Sequence, residues 1–177
     1  MGEGPDDAQP ENGLPSSLPK ISIVTPSFNQ ALYLEDAIRS VLDQGYPDLE
    51  YIVIDGGSTD GSRAIIERYS ERIAYWQSRP DGGQANALNQ GFAMATGDVF
   101  GWLCSDDTLK PGSLYLAGSM FSLVDDLSLV YGDTEYLYPD GSRTVKPRIS
   151  YHYNTMRYFN ILSQPSTFFS RSIYESS

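Results

Sequence analysis

The sequence predicts an α/β fold, a three-layer sandwich whose central sheet is mixed but mainly parallel, and three observations predict it. Short β-branched runs alternate with segments of helical period, in the order strand, helix, strand, helix, strand, helix, strand. Two of the apolar runs stop abruptly at carboxylates, in Asp55-Gly56-Gly57-Ser58-Thr59-Asp60 and in Ser105-Asp106-Asp107. Hairpin chemistry enters only later, at Pro139-Asp140-Gly141-Ser142, so the second half of the sheet turns antiparallel.

Residues Met1 to Pro19 carry Pro, Gly, Asp, Glu and Ser with almost no large apolar side chain, and read as a disordered leader. The domain begins at Lys20 and runs to Ser177. Ile21 to Val24 is a short strand, which Pro26 is expected to stop. Leu32, Ala37, Ile38, Val41 and Leu42 fit one face of a helix, and Tyr51 to Ile54 is the next strand. Ser58, Thr59 or Asp60 caps a second helix with Ala64, Ile65 and Ile66 on its apolar face. Ile73 to Trp76 is a third strand, and Gln84 to Ala95 a third helix. The apolar run Val99, Phe100 to Leu103 then delivers Asp106 and Asp107. A helix follows from Gly112 to Leu123, then strands at Leu129 to Tyr131 and Glu135 to Tyr138. A helix from Tyr151 to Ile161 and a strand from Gln164 to Phe169 end the chain's regular pattern.

Composition narrows the function. A 177-residue chain with 40% hydrophobic residues suits one soluble domain with its own core. The formal net charge of -11 argues against a nucleic-acid partner and against a polybasic membrane patch. No apolar run approaches the roughly 18 residues of a membrane span. A single cysteine excludes an internal disulfide, and the expected location is cytoplasmic.

The carboxylates carry the chemistry. In a parallel sheet, Asp55 and Asp106 both fall at carboxyl ends of strands, the edge where open α/β sheets bind ligands. Neighbouring carboxylates repel and favour a cation beside them, and hard oxygen donors suit Mg²⁺ or Mn²⁺ completed by substrate phosphates. Taken singly, the Asp pair also fits a helix cap near Pro111, and Asp55-Gly56-Gly57 fits a plain strand-to-helix turn.

Four stretches in order change that balance: Thr25-Pro26-Ser27-Phe28-Asn29, Asp55 to Asp60, Asp81-Gly82-Gly83-Gln84 with Asn86 and Asn89-Gln90-Gly91, and Ser105-Asp106-Asp107. Together they resemble a family 2 glycosyltransferase of the GT-A fold. The resemblance implies a nucleotide-sugar donor, a UDP-sugar first, and inverting transfer to a glycan, lipid-linked or other hydroxyl acceptor. By position it implies that Thr25, Pro26 and Phe28 line the nucleoside pocket and that Asp55 receives the base edge. Asp81 and Asn89 border the same pocket. Asp106 meets the ribose or metal, and Asp107 ligates Mn²⁺ or Mg²⁺.

The chain departs from the family pattern in three places. Where the family often has two consecutive aspartates, this chain has Asp55-Gly56; the first aspartate of the common Asp-x-Asp motif falls at Cys104. Inversion also needs a general base, and the family's carboxylate for that role falls beyond the stretch resembling Gln164 to Arg171. Asp133 and His152 are the weak candidates here, so the chain reads as the donor-binding part of a truncated enzyme. The alternative is a non-catalytic nucleotide-sugar-binding remnant. A cut there leaves Phe168, Phe169 and Ile173 exposed, which favours self-association. A dinucleotide dehydrogenase is set aside because Gly-x-Gly-x-x-Gly is missing after the first strand. A sugar nucleotidyltransferase is set aside because no Arg- and Lys-bearing glycine loop opens the domain.

Overall fold

The computed structural model describes residues 17–150 and 162–176. Most of the leader, the helix expected from Tyr151 to Ile161 and the candidate base His152 lie outside the described residues. In chain order the elements are β1 (Ile21–Ser27), α1 (Ala31–Leu42), β2 (Leu49–Asp55), α2 (Ser62–Arg68), β3 (Tyr75–Ser78), α3 (Gln84–Met94) and β4 (Val99–Trp102). There follow α4 (Ser113–Leu123), β5 (Leu129–Tyr131), β6 (Thr134–Leu137), β7 (Arg143–Lys146), β8 (Thr167–Ser170) and α5 (Arg171–Glu175).

The main sheet runs β3-β2-β1-β4-β8-β5. Its first four strands are parallel, and β8 is antiparallel to both β4 and β5. The mixed, mainly parallel α/β architecture is therefore as expected. A separate β6–β7 hairpin turns at the predicted Pro139 to Ser142 segment.

Side-chain alternation along the strands creates two cores. On one face Ile21, Ile23, Tyr51 and Val53 pack with Leu34, Ile38 and Val41 of α1, Ile66 of α2 and Leu114 of α4. On the other, Val24, Ile52, Ile54 and Phe100 pack with Ala87 and Phe92 of α3, and Tyr174 of α5 joins them. Close approach is required where α3 crosses β1, because a Cβ at Gly91 would collide with Val24 Cγ1.

Several expectations need correction. Pro26 does not stop β1, which continues through it to Ser27. Val24 C=O accepts from Leu103 and Ser27 C=O from Gly56, so residue 26 turns its nitrogen toward the β4 side. The β1–β4 ladder has already ended at Val24↔Trp102, and the missing N–H costs no bond there. Leu32 is exposed and Leu34 takes its place in the core, since position 34 shares a helical stripe with 38 and 41. In α2 only Ile66 of the three expected apolar residues is fully buried; Ala64 is exposed. The third strand starts at Tyr75, where pairing to Ile52 begins, rather than at Ile73. Gln164 to Ser166 is a 3-10 turn, so the last strand is shorter than predicted.

The apolar edge is corrected too. Phe168 is buried, because β8 lies inside the sheet between β4 and β5 instead of at its margin. Phe169 packs edge-on against Phe92, Phe100 and Trp102, leaving Ile173 as the exposed member of the trio.

At the opposite end of the sheet from the acidic clusters, Glu50 ties three segments together. Its carboxylate accepts from Ser22 Oγ (2.6 Å), from Thr96 N and Oγ1 (each 2.7 Å) and pairs with the Lys20 ammonium at 3.1 Å. Burial alone would raise its pKa, but the bonds from Ser22, Thr96 and Lys20 outweigh burial and hold it at about 2. A depressed carboxyl stabilises the fold fully above its ordinary value of 4.5 and loses that contribution as pH falls toward 2. Glu50→Gln is expected to cost about 1–3 kcal/mol at pH 7. In urea unfolding, the gap from wild type should close between pH 4.5 and 2. A gap independent of pH would mean that Glu50 acts through packing alone.

Candidate active site

Parallel order brings the carboxyl ends of β1, β2, β3 and β4 to one edge, and the loops leaving them enclose a cavity of about 710 Å³. β1 contributes Pro26 and Ser27, with Phe28 and Gln30 beyond it; Gly56 follows β2. The β3–α3 loop contributes Pro80 to Gly83, α3 contributes Gln84 and Ala87, and β4 leads into Cys104, Ser105 and Asp106. Among the described residues the lining holds no Lys, Arg or His. Phe28 is 62% exposed, an unusual state for a bare aromatic ring, and it stands at the cavity wall. Ser27 is buried, and its hydroxyl has no hydrogen-bond partner among the described residues.

The first two loops are sewn together by the Asp55 to Asp60 motif. Asp60 accepts from Ala31 N (2.9 Å) and Ser62 N (3.0 Å), so one carboxylate serves the first turns of both α1 and α2. Hydrogen bonds from Ser62 and Ala31 hold its pKa below the ordinary carboxylate range. Asn29 N donates to Ser58 Oγ at 2.7 Å, Thr59 N donates to Asn29 Oδ1 at 3.0 Å, and Gln30 N donates to Ser62 Oγ at 3.2 Å. Asn29 adopts the left-handed region at φ 53°, which asparagine tolerates better than most residues. Of Ser58, Thr59 and Asp60, the three residues expected to cap α2, Asp60 is the one that bonds its first turn, and it serves α1 as well.

Asp55 belongs to this framework and does not line the cavity. It is fully buried, and its oxygens accept from Gly57 N (3.2 Å), Ser58 N (2.9 Å), Ser58 Oγ and Ser78 Oγ (2.6 Å). Alternation explains its direction: Asp55 shares a face with Tyr51 and Val53, toward α1 and α2, whereas the cavity opens beside Ala87 of α3. Thr25 falls on the Asp55 side for the same reason, and its hydroxyl accepts from the buried Tyr51 hydroxyl at 3.0 Å. Of the predicted pocket residues, the structure gathers Pro26, Phe28, Asp81 and Asp106 around the cavity. Asn89 is exposed on α3 outside it; Asn86 is the asparagine that holds the loop, donating from Nδ2 to Asp81 O at 2.6 Å. Gly82 and Gly83 at φ 83° and 108° let that loop reverse, and Gly83 N donates to Asp81 Oδ1 at 2.8 Å.

At the other end of the cavity, Cys104 Sγ and carboxylate oxygens of Asp106 and Asp107 all lie within 4.8 Å of one another. Burial, then the charge of Asp106, pushes the Asp107 carboxyl above its ordinary range. Burial and the same two carboxylates push the Cys104 thiol up to about 11. It is therefore a neutral thiol at pH 7, accepting from Gln84 Nε2 (3.2 Å) and donating to Gln164 Oε1 (3.4 Å). The two carboxylates suit a hard divalent ion; the neutral thiol does not. Asp133 lies elsewhere, accepting from Arg148 N at 2.7 Å and pairing with its guanidinium at 3.6 Å.

No helix among the described residues is long and apolar enough to cross a membrane. Comparison with known proteins agrees with the geometry. A putative teichuronic acid biosynthesis glycosyltransferase of Bacillus subtilis, TuaG, is 40% identical over 99 residues, covering 54% of this chain and 39% of that protein. Among solved structures, the mannosyltransferase PcManGT from Pyrobaculum calidifontis in complex with GDP-Man and Mn²⁺ superposes with a TM-score of 0.67. It is 23% identical and covers 96% of this chain and 50% of its own. TarS residues 1–349 of S. aureus in complex with UDP-GlcNAc gives 0.60 at 17% identity, over 89% of this chain and 47% of its own. The chain spans between 19% and 39% of the length of the curated relatives it matches. The fold is thus the GT-A arrangement. The model of the family described as "Glycosyl transferase family 2" matches residues 22–173, nearly all of the domain, and this chain belongs to that family.

Proposed function

We propose that this chain binds a nucleotide-sugar donor, preferentially a UDP-sugar, and supports metal-assisted, inverting transfer of the sugar to an acceptor hydroxyl. The observation that carries the reading is the charge of the cavity. It could seat a nucleoside diphosphate, yet among the described residues its lining offers Asp81 and Asp106 and no cationic side chain. A diphosphate placed among carboxylates needs a divalent ion to offset both sets of charge. Asp106 and Asp107 are the residues that would hold Mn²⁺ or Mg²⁺. Such an ion supplies stabilisation of the charge that develops on the leaving diphosphate. Phe28 offers an apolar face to a base, and the shared loops keep that face in place.

The mannosyltransferase bound to GDP-Man and Mn²⁺ and TarS bound to UDP-GlcNAc support this assignment through their shared fold. TuaG, described as a putative teichuronic acid biosynthesis glycosyltransferase, supports polysaccharide biosynthesis as the setting of the transfer. The single free thiol suits a cytoplasmic site. Inversion requires a base at the acceptor hydroxyl, and Asp133, committed to Arg148, is poorly disposed for it.

Calorimetry with UDP, with UDP-sugars and with GDP-mannose tests the reading, each with Mn²⁺ and again in excess EDTA. Binding is expected only with the metal. Equal affinity in EDTA would remove the ion from the site. Binding without any donor hydrolysis or transfer would favour a non-catalytic nucleotide-sugar binder.

A further inference from the structure

The cavity raises the question of which group reads the base, since Asp55 is spent on its own loop. The position that faces the cavity is residue 56, immediately after β2 and the next along its alternation, and there the chain has no side chain at all. A Cβ built on Gly56 would stand 3.2 Å and 3.3 Å from the two carboxylate oxygens of Asp81 and 3.2 Å from Phe28 Cδ2. The space that a residue-56 side chain would fill is thus bordered by the Asp81 carboxylate and the Phe28 ring, with the Gly56 backbone as its floor. Resting on the function proposed above, we propose that Asp81 is the specificity-determining residue for the nucleobase. It would select bases whose pairing-edge ring nitrogen carries a hydrogen, uracil or guanine, over cytosine or adenine.

The chemistry is that of an acceptor-only group. An ionised carboxylate can receive an N–H but cannot satisfy a lone pair. Gly83 N already occupies Asp81 Oδ1 and so fixes the carboxylate's orientation, leaving Oδ2 without a bond among the described residues. A planar base laid against the exposed Phe28 ring would present its edge to that oxygen. The imide N3–H of uracil, or N1–H of guanine, donates to it. Cytosine N3 and adenine N1 would set a lone pair against a negative charge and leave both unsatisfied. Asp81 and Gly56 therefore work as a pair across two loops: a side chain at 56 would displace the carboxylate.

The discriminating experiment is calorimetric titration, with saturating Mn²⁺, of UDP against CDP and of GDP against ADP. Wild type should favour UDP over CDP, or GDP over ADP, by about tenfold or more, the discrimination of one good base contact. In Asp81→Asn the amide can donate to a lone pair, and the preferred pair should converge to within about threefold. Gly56→Ala, which crowds Asp81 without touching its chemistry, should weaken the preferred nucleotide and flatten the same preference. Mn²⁺-pyrophosphate, which has no base, should still bind all three proteins and so reports that the fold and metal site persist. If Asp81→Asn weakens every nucleotide and pyrophosphate equally, or leaves the preference intact, the inference falls while the donor-binding reading stands. Failure of every nucleotide to bind wild type would remove both.

Discussion

Asp107→Asn is expected to lower the Mn²⁺-supported affinity for UDP by about 100-fold or more, while the folded state without metal is unharmed or slightly firmer. The affinity loss follows from removing one of two hard ligands from an ion that itself offsets several kcal/mol of ligand charge. An interaction of about 2.7 kcal/mol corresponds to a hundredfold. The stability half follows from the sign of the carboxyl's shift. Asp107 is pushed up by burial and by Asp106, so its ionised form weakens the metal-free fold, increasingly as pH rises through its folded pKa. An amide of the same shape relieves this. Thermal unfolding with and without Mn²⁺ reads both effects, since an ion that binds only the folded state raises the melting temperature. Wild type should gain on adding Mn²⁺, and the variant should gain little. An equal rise in both proteins would move the ion elsewhere.

The second large effect concerns Asp55→Ala. Because this carboxylate is fully buried and receives donors from Gly57, Ser58 and Ser78, its loss strands several polar groups at once. Removing one partner of a buried charged network costs about 3–5 kcal/mol, a large share of a typical domain's total of about 5–15 kcal/mol. Urea unfolding should show it. Asp55→Asn should recover only part, because its NH₂ faces N–H and O–H donors. A double-mutant cycle with Ser78→Ala should reveal coupling between the two sites. Unchanged stability with a selective loss of nucleotide affinity would restore Asp55 as a direct reader of the base.

Much of this was legible from sequence because the signals are local. The alternation of strands and helices through α4, the strand end at Asp55 and the Pro139 to Ser142 turn are each written within a few consecutive residues. The carboxylates of Asp106 and Asp107 needed only the end of β4 to be located. What escaped depends on neighbours that sequence does not name. Pro26 is tolerated inside β1 because β4 has already turned away. The direction of Thr25 and Asp55 depends on the parity of β1 and β2 relative to the helices that cover each face. Cys104, half-buried between Gln84 and Gln164, acquires a polar role that its own sequence neighbourhood does not announce. The meeting of Gly56 with Asp81 joins loops after different strands, and only the fold brings them together.

The shared carboxylate of Asp60 has a consequence for how the cavity moves. With Asn29, Ser58, Thr59 and Ser62 bonded across the gap, the loops after β1 and β2 have little freedom to shift independently. Their ordering entropy is spent on folding, so a ligand that leans on Phe28 meets a wall already set in its bound shape. The facing loop of Asp81 to Gly83 has a different anchorage, to α3 through Asn86 and through its own turn. Both walls are thus set before a ligand arrives, and the cavity selects among ligands by shape rather than by moulding itself to them.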